Sequence, residues 1–270
     1  MLYALSCRYS QRAFLYAVPI GGLAGLVGLG GGEFRLPVLT QVIGFSSRAA
    51  IPLNLLISLA TLSFALATRS HAVPLSGVIA HWPEVAGLTL GGIVSVTFGA
   101  RVVLALSERR LTVVTATLIA ALGLLLLVEV VIPFGNALLA IDALFIRALA
   151  GLLVGLGVGA VSSMLGVAGG ELLIPTLMFL FGADIRVAGS ASLLISLAIV
   201  ATGVWRYRQV GALPITGGPR RIAISMSAGS LIGAVLGGMA VAVAPAIFLK
   251  VVLGAVLIFA AIKTVARTGG

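Results

Sequence analysis

The sequence predicts an all-α polytopic membrane protein built from two homologous halves, and three observations predict it. Of 270 residues, 60% are hydrophobic and only 9% charged, with a mean hydropathy of +1.24; an ordinary polar surface cannot be assembled from that composition. The chain also repeats itself: Gly31, Gly32, Glu33 and Pro37 recur 138 residues later as Gly169, Gly170, Glu171 and Pro175. Aligned at that offset without a gap, residues 21–60 and 159–198 agree at 16 of 40 positions, including Gly28 with Gly166, Gly44 with Gly182, Arg48 with Arg186 and the run Leu55–Ala60 with Leu193–Ala198. A period this long marks a duplicated half, not a solenoid. Finally, apolar stretches of membrane-crossing length succeed one another with basic residues between them.

Taken in order, residues 1–12 carry Arg8 and Arg12 ahead of the first apolar run, with no small-residue cleavage pattern after it, and read as a retained cytoplasmic segment. The first half covers 13–132, a connecting loop 133–146, and the second half 147–266. A crossing of the hydrocarbon core, about 30 Å, needs about 20 residues. Ala13–Gly44 and Leu144–Gly182 are too long for one straight crossing, and glycines cut them at Gly30-Gly31-Gly32 and Gly169-Gly170. Each predicts a helix, an unwound turn at Gly-Gly-Glu, and a second short helix, because glycine holds a helix poorly and the following proline lacks an N–H. Six simple spans complete the halves: Ala50–Thr68, Pro83–Leu106 and Leu111–Ile132 in the first, and Val187–Trp205, Ile222–Val243 and Ile247–Ala266 in the second. Small residues at spacings of three to four, Gly21, Gly22, Gly25 and Gly28, then Gly151, Gly155, Gly159 and Ser163, offer faces for close helix approach.

The net charge of +10 is distributed as a topology signal and not as a nucleic-acid footprint. If each broken segment crosses once, the halves are parallel, and Arg8, Arg12, Arg69, Arg147, Arg206, Arg208, Arg220, Arg221, Lys263 and Arg267 lie inside, with Arg48, Arg109, Arg110 and Arg186 outside. If each broken segment is a re-entrant hairpin, the halves are inverted. Arg48, Arg109 and Arg110 then move inside, while Arg69, Arg147 and Arg186 are outside. The balance, 11 to 3 against 10 to 4, favours inverted halves by a thin margin, and both arrangements put the two termini in the cytoplasm. The single cysteine, Cys7, excludes an internal disulfide or a cysteine-based metal site. Trp82 and Trp205 read as interface anchors. Glu129 and Asp142 read as interfacial, and His71 and His81 have no ligand spacing.

Unwound backbone is tolerated at membrane depth only where protein buries it or a polar cavity hydrates it, so the breaks should face inward. A broken helix offers unpaired N–H groups and the positive end of its second half, an anion site, and two such sites meeting near the midplane would hold a small oxyanion without a metal. The structural alternative is that the glycines only let helices pack. Glu33 and Glu171 have two readings: a carboxyl within the membrane is costly and marks a proton relay or ion path, or each acid caps the second half-helix. Arg35, whose repeat partner is Leu173, is read as pairing with Glu33 or facing a substrate. Asn54 and Ser58, repeated as Ser192 and Ser196, could line the same cavity or make interhelical hydrogen bonds. No HExxH, GxSxG, Walker P-loop or CxxC motif is present, so neither an ATP-driven pump nor a recognised hydrolase is indicated.

The paired signatures Gly28-Leu29-Gly30-Gly31-Gly32-Glu33-Phe34-Arg35-Leu36-Pro37 and Gly166-Val167-Ala168-Gly169-Gly170-Glu171-Leu172-Leu173-Ile174-Pro175 resemble those of the sulfite exporter TauE/SafE family, across about Phe14 to Ala266. The second signature departs from the fuller glycine run by having Ala168 in place of Gly30. The resemblance implies a plasma-membrane carrier, with no cofactor and no enzymatic activity, exporting sulfite, sulfoacetate or a related organosulfonate by alternating access. Its substrate site would be built from Gly30, Gly31, Gly32, Glu33, Arg35, Ala168, Gly169, Gly170 and Glu171, lined by Asn54, Ser58, Ser192 and Ser196. Its partners would be that anion and the bilayer; self-association stays open. Two rivals remain: an uptake carrier for another small solute or a cation, and a membrane scaffold subunit that transports nothing.

Overall fold

A computed structural model describes residues 2–103, 108–132, 143–165, 167–213 and 217–266. Gly166 of the second signature, residues 133–142 of the connecting loop with Asp142, and Arg267 lie outside the described residues. Eleven α-helices are described, with no strand among the described residues. The first half contains α1 (Leu2–Val27), α2 (Gly32–Pro37), α3 (Ser47–Ala72), the short α4 (Leu75–Ala80), α5 (Trp82–Val103) and α6 (Glu108–Val131). The second contains α7 (Leu144–Leu165), α8 (Gly170–Pro175), α9 (Ile185–Gln209), α10 (Gly217–Ala240) and α11 (Ala246–Ala266). The six expected simple spans correspond to α3, α5, α6, α9, α10 and α11. Residues 2–12, expected ahead of the first span, continue α1 as helix.

Arg48–Ala72, Leu144–Ser162, Ile185–Gln209 and Gly217–Ala240 are long and apolar enough to cross a membrane. Polarity is arranged as that solvent requires. Leu15, Leu153, Ile224 and Leu236 face outward, whereas Arg35, Asn54, Ser58, Thr61, Arg69, Glu84, Ser192 and Ser196 are buried among the helices. Trp82 and Trp205, at opposite ends of the bundle, are more than half exposed, as interface anchors should be.

The halves are inverted, and the contacts between equivalent helices establish it. Arg69, in the last turn of α3, bonds to the Arg186 carbonyl and the Ser190 hydroxyl at the start of α9, while Leu55 near the start of α3 lies against Gly203 near the end of α9. These two helices therefore run antiparallel. So do α6 and α11, where Glu129 meets Lys250 at 2.8 Å and Gly123 and Gly254 abut. Equivalent helices that meet antiparallel are related by an axis in the membrane plane. The halves are also interleaved: α1 of the first packs on α10 of the second, and α7 of the second packs on α5 of the first.

Both crossings are parallel and glycine-lined. A Cβ on Gly25 would collide with the Ala234 backbone, and one on Gly155 would meet the Leu88 carbonyl at 2.5 Å. Absent side chains let the backbones touch, where dispersion contacts accumulate without any hydrophobic drive from lipid.

Topology follows from these pairings. Arg69, at the far end of α3, bonds to the Gly25 and Leu26 carbonyls that end α1, whereas Asn54, nearer the start of α3, bonds to the Gly32 carbonyl that begins α2. The chain thus doubles back after α1, and α2 returns toward the face from which α1 set out. The broken segments are hairpins, and the starts of α1 and α10 and the end of α11 share one face. Of the arginines on the opposite face, Arg69 is buried, Arg147 pairs with Glu84, and Arg186 donates to the Ala244 carbonyl at 2.8 Å. Arg69, read from sequence only as a flanking charge, instead satisfies the last carbonyls of α1, which have no partner within their own helix.

Candidate functional site

Each break is made by glycines in the left-handed region. Gly28 has φ +98°, Gly31 +67° and Gly169 +77°, values that L side chains rarely adopt. Gly31 and Gly169 are the N-caps of α2 and α8, and neither half-helix receives a side-chain capping bond. Glycine, not the acid, holds each N-cap position; Glu33 and Glu171 sit two residues beyond it in the first turn, Glu33 accepting from its own backbone N–H, and one carboxyl oxygen of each is buried with no hydrogen-bond partner. Both prolines stand at a change of winding. Pro37 and Pro175 cannot donate, and the turns after them, Val38–Val42 and Thr176–Leu180, are π-helical.

The two breaks meet. A Cβ on Gly30 would fall 2.5 Å from the Ala168 methyl; one on Gly32 would fall 3.4 Å from the Val167 Cα; one on Gly170 would fall 3.3 Å from the Leu29 Cα. The unwound backbones face inward, as membrane energetics requires, and come into contact across the pseudo-twofold.

The polar side chains hold this backbone. Arg35, fully buried, donates from Nε to the Gly31 carbonyl at 3.2 Å, from Nη2 to the Gly30 carbonyl and to Ser58 Oγ at 3.2 Å, and from Nη1 to Thr61 Oγ1 at 2.8 Å. Four of its five N–H groups are thus given to the freed carbonyls of the break and to two hydroxyls of α3, and none of these bonds goes to Glu33. Asn54 Nδ2 donates to the Gly32 carbonyl at 3.0 Å, and Ser196 Oγ to the Ala168 carbonyl at 3.0 Å. Ser192 Oγ is buried without a partner.

All the expected site residues thus gather around the two breaks. The sequence reading missed Thr61 and Ser162. Thr61 continues the stripe Asn54, Ser58 at helical spacing, a signal that was available. Ser162 offers none, because its repeat position is Ala24 and only folding brings it against Gly169. Elsewhere, His81 Nδ1 lies 3.1 Å from Glu84, which also binds Arg147, so this histidine serves an ion cluster between α5 and α7.

Inverted, interleaved halves with two helix breaks meeting at the centre define an integral membrane protein of the broken-helix, inverted-repeat class, the architecture of secondary transporters. The sequence comparison narrows the class. A model of the sulfite exporter TauE/SafE family matches residues 6–126 and, a second time, residues 150–270, and the chain belongs to that family. It is a multi-pass membrane transporter and not an enzyme. No curated protein and no solved structure matches it.

Proposed function

We propose that the protein exports sulfite, or a closely related sulfur-containing anion such as sulfoacetate, across the plasma membrane by alternating access. The observation that carries this reading is the meeting of two helix breaks, each with an acid in register, in a chain of the sulfite-exporter family. In such an architecture a site on the pseudo-axis opens alternately to either face as the halves exchange conformations; the touching breaks are then an occluded state. Substrate would enter between Gly30–Glu33 and Ala168–Glu171, with Asn54, Ser58, Ser192 and Ser196 around it, and Arg35 supporting the first break from behind.

The excess of basic residues on the face holding the termini supports a cytoplasmic orientation for it. Export of an anion from a negative interior is electrically downhill by about 2.3 kcal/mol per charge per 100 mV, so a uniport mechanism suffices. The unpartnered carboxyl oxygens of Glu33 and Glu171 favour a second component, proton exchange during the cycle. Proteoliposomes loaded with sulfite test both. The protein should release sulfite faster than liposomes without it, and a Glu33→Gln, Glu171→Gln double variant should lose the pH dependence of that release. Failure to move sulfite or sulfoacetate, with uptake of a cation under an imposed gradient instead, would reject the export reading.

A further inference from the structure

The two breaks are equivalent by symmetry, yet their polar side chains are not spent alike. At the first break the donors go to its own backbone: Arg35 to the Gly30 and Gly31 carbonyls, and Asn54 to the Gly32 carbonyl. At the second, Ser196 holds the Ala168 carbonyl, and two buried hydroxyls, Ser162 Oγ and Ser192 Oγ, are unspent beside Glu171 Oε1; at the first, the comparable group is the carboxyl oxygen Glu33 Oε1. Ser162, Ser192 and Glu171 are 2%, 0% and 5% exposed. All three border the same break. A Cβ on Gly169 would collide with Ser162 Oγ, one on Gly170 would lie 3.3 Å from Ser192 Oγ, and Glu171 is the next residue of the chain.

A buried hydroxyl without a partner is destabilising. Folding alone does not need Ser162, because the equivalent place in the first half is filled by Ala24. Nor is there a resident cation to occupy these groups, since Leu173 stands where the first half has Arg35.

We propose that the second break is the substrate-binding half of the site, where the Ser162 and Ser192 hydroxyls and a protonated Glu171 donate hydrogen bonds to the oxygens of a small oxyanion, and that the first break is its fixed support. The proposal rests on the reading of the protein as a sulfur-anion exporter and adds which half holds the anion and by which donors. Two hydroxyl donors and one carboxylic acid suit a compact anion with several oxygens, whereas a carboxylate in the same place would repel it.

The test uses the purified full-length protein in detergent, with sodium sulfite as probe. The readouts are the melting temperature without ligand and the half-saturating sulfite concentration from thermal-shift titration. Ser162→Ala and Ser192→Ala should melt at or above the wild type without ligand, and each should raise half-saturation about tenfold, the effect of one hydrogen bond to a charged group. Glu171→Gln should bind within a few-fold of wild type, because the amide still donates. Thr61→Val, which removes an acceptor of Arg35 at the first break, should lower the melting temperature and leave half-saturation unchanged. Unchanged sulfite binding by both serine variants overturns the proposal, and so does a loss of melting temperature in them equal to that of Thr61→Val. If the wild type responds to neither sulfite nor sulfoacetate, the exporter reading fails and the proposal with it; if the wild type binds and both serine variants bind equally well, the proposal alone fails.

Discussion

At the scale of single residues, the glycines of the signature do two different jobs. Gly28, Gly31 and Gly169 are required by backbone conformation, since each lies at positive φ. Gly30 does not, and the only close obstacle to a Cβ there is the Ala168 methyl, at 2.5 Å. The departure of the second signature from the first is therefore complementarity: one methyl fits between the breaks, and the second half supplies it. Gly30→Ala should cost about 1–3 kcal/mol by overpacking, seen as a lowered melting temperature and reduced folded yield. Adding Ala168→Gly should restore most of the loss by moving the methyl across the axis, whereas absence of rescue would mean that the breaks do not meet as described. The identities in the repeat made the breaks legible in the sequence. The use of Arg35 was not, because nothing local says which carbonyls a long side chain will reach once its helix has folded against another.

At the scale of elements, the parallel pairs α1 with α10 and α5 with α7 carry the packing. Their tolerance should vary residue by residue along a single helix. A Cβ on Gly22 finds its nearest neighbour, the Gly233 carbonyl oxygen, at 3.9 Å, but one on Gly25 meets the Ala234 carbonyl and, at 2.7 Å, the Gly238 nitrogen. Gly22→Ala should fold and transport normally, and Gly25→Ala should give little folded protein by size-exclusion chromatography. Polar contacts fasten the α5–α7 pair at the face opposite the termini. Glu84 is fully buried and held by Arg147 and His81. Arg147→Met strands much of a buried negative charge and should cost about 3 kcal/mol, read as a melting temperature several degrees lower; a shift within about one degree would show that the pair contributes only as a surface contact does.

At the scale of the molecule, interleaving makes each half incomplete alone, because the first helix of either half is packed on the other. The proposed orientation can be tested directly in cells. With Cys7 replaced by serine, a cysteine at Ser76, exposed on α4, should react with a membrane-impermeant maleimide in intact cells, and one at Arg220, exposed at the start of α10, only after lysis. The reverse pattern would place the termini outside.

By itself the sequence determined that this protein lives in a membrane, that it is duplicated, where its spans lie to within a few residues, and where its backbone breaks. Those properties reside in composition, periodicity and identity, and a single segment expresses them without its neighbours. Tertiary structure decided the rest. The count of basic residues separated inverted from parallel halves by one arginine, whereas the antiparallel meeting of α3 with α9 and of α6 with α11 leaves one arrangement. It also decided that the breaks touch, that glycines hold the N-cap positions of the half-helices, and that Arg35 and Arg69 serve backbone carbonyls. The physical reason is the same in each case: a buried polar group takes whatever partner the packing brings within about 3 Å, and that partner lies on another helix or in a neighbouring turn, at a distance along the chain that no local pattern encodes.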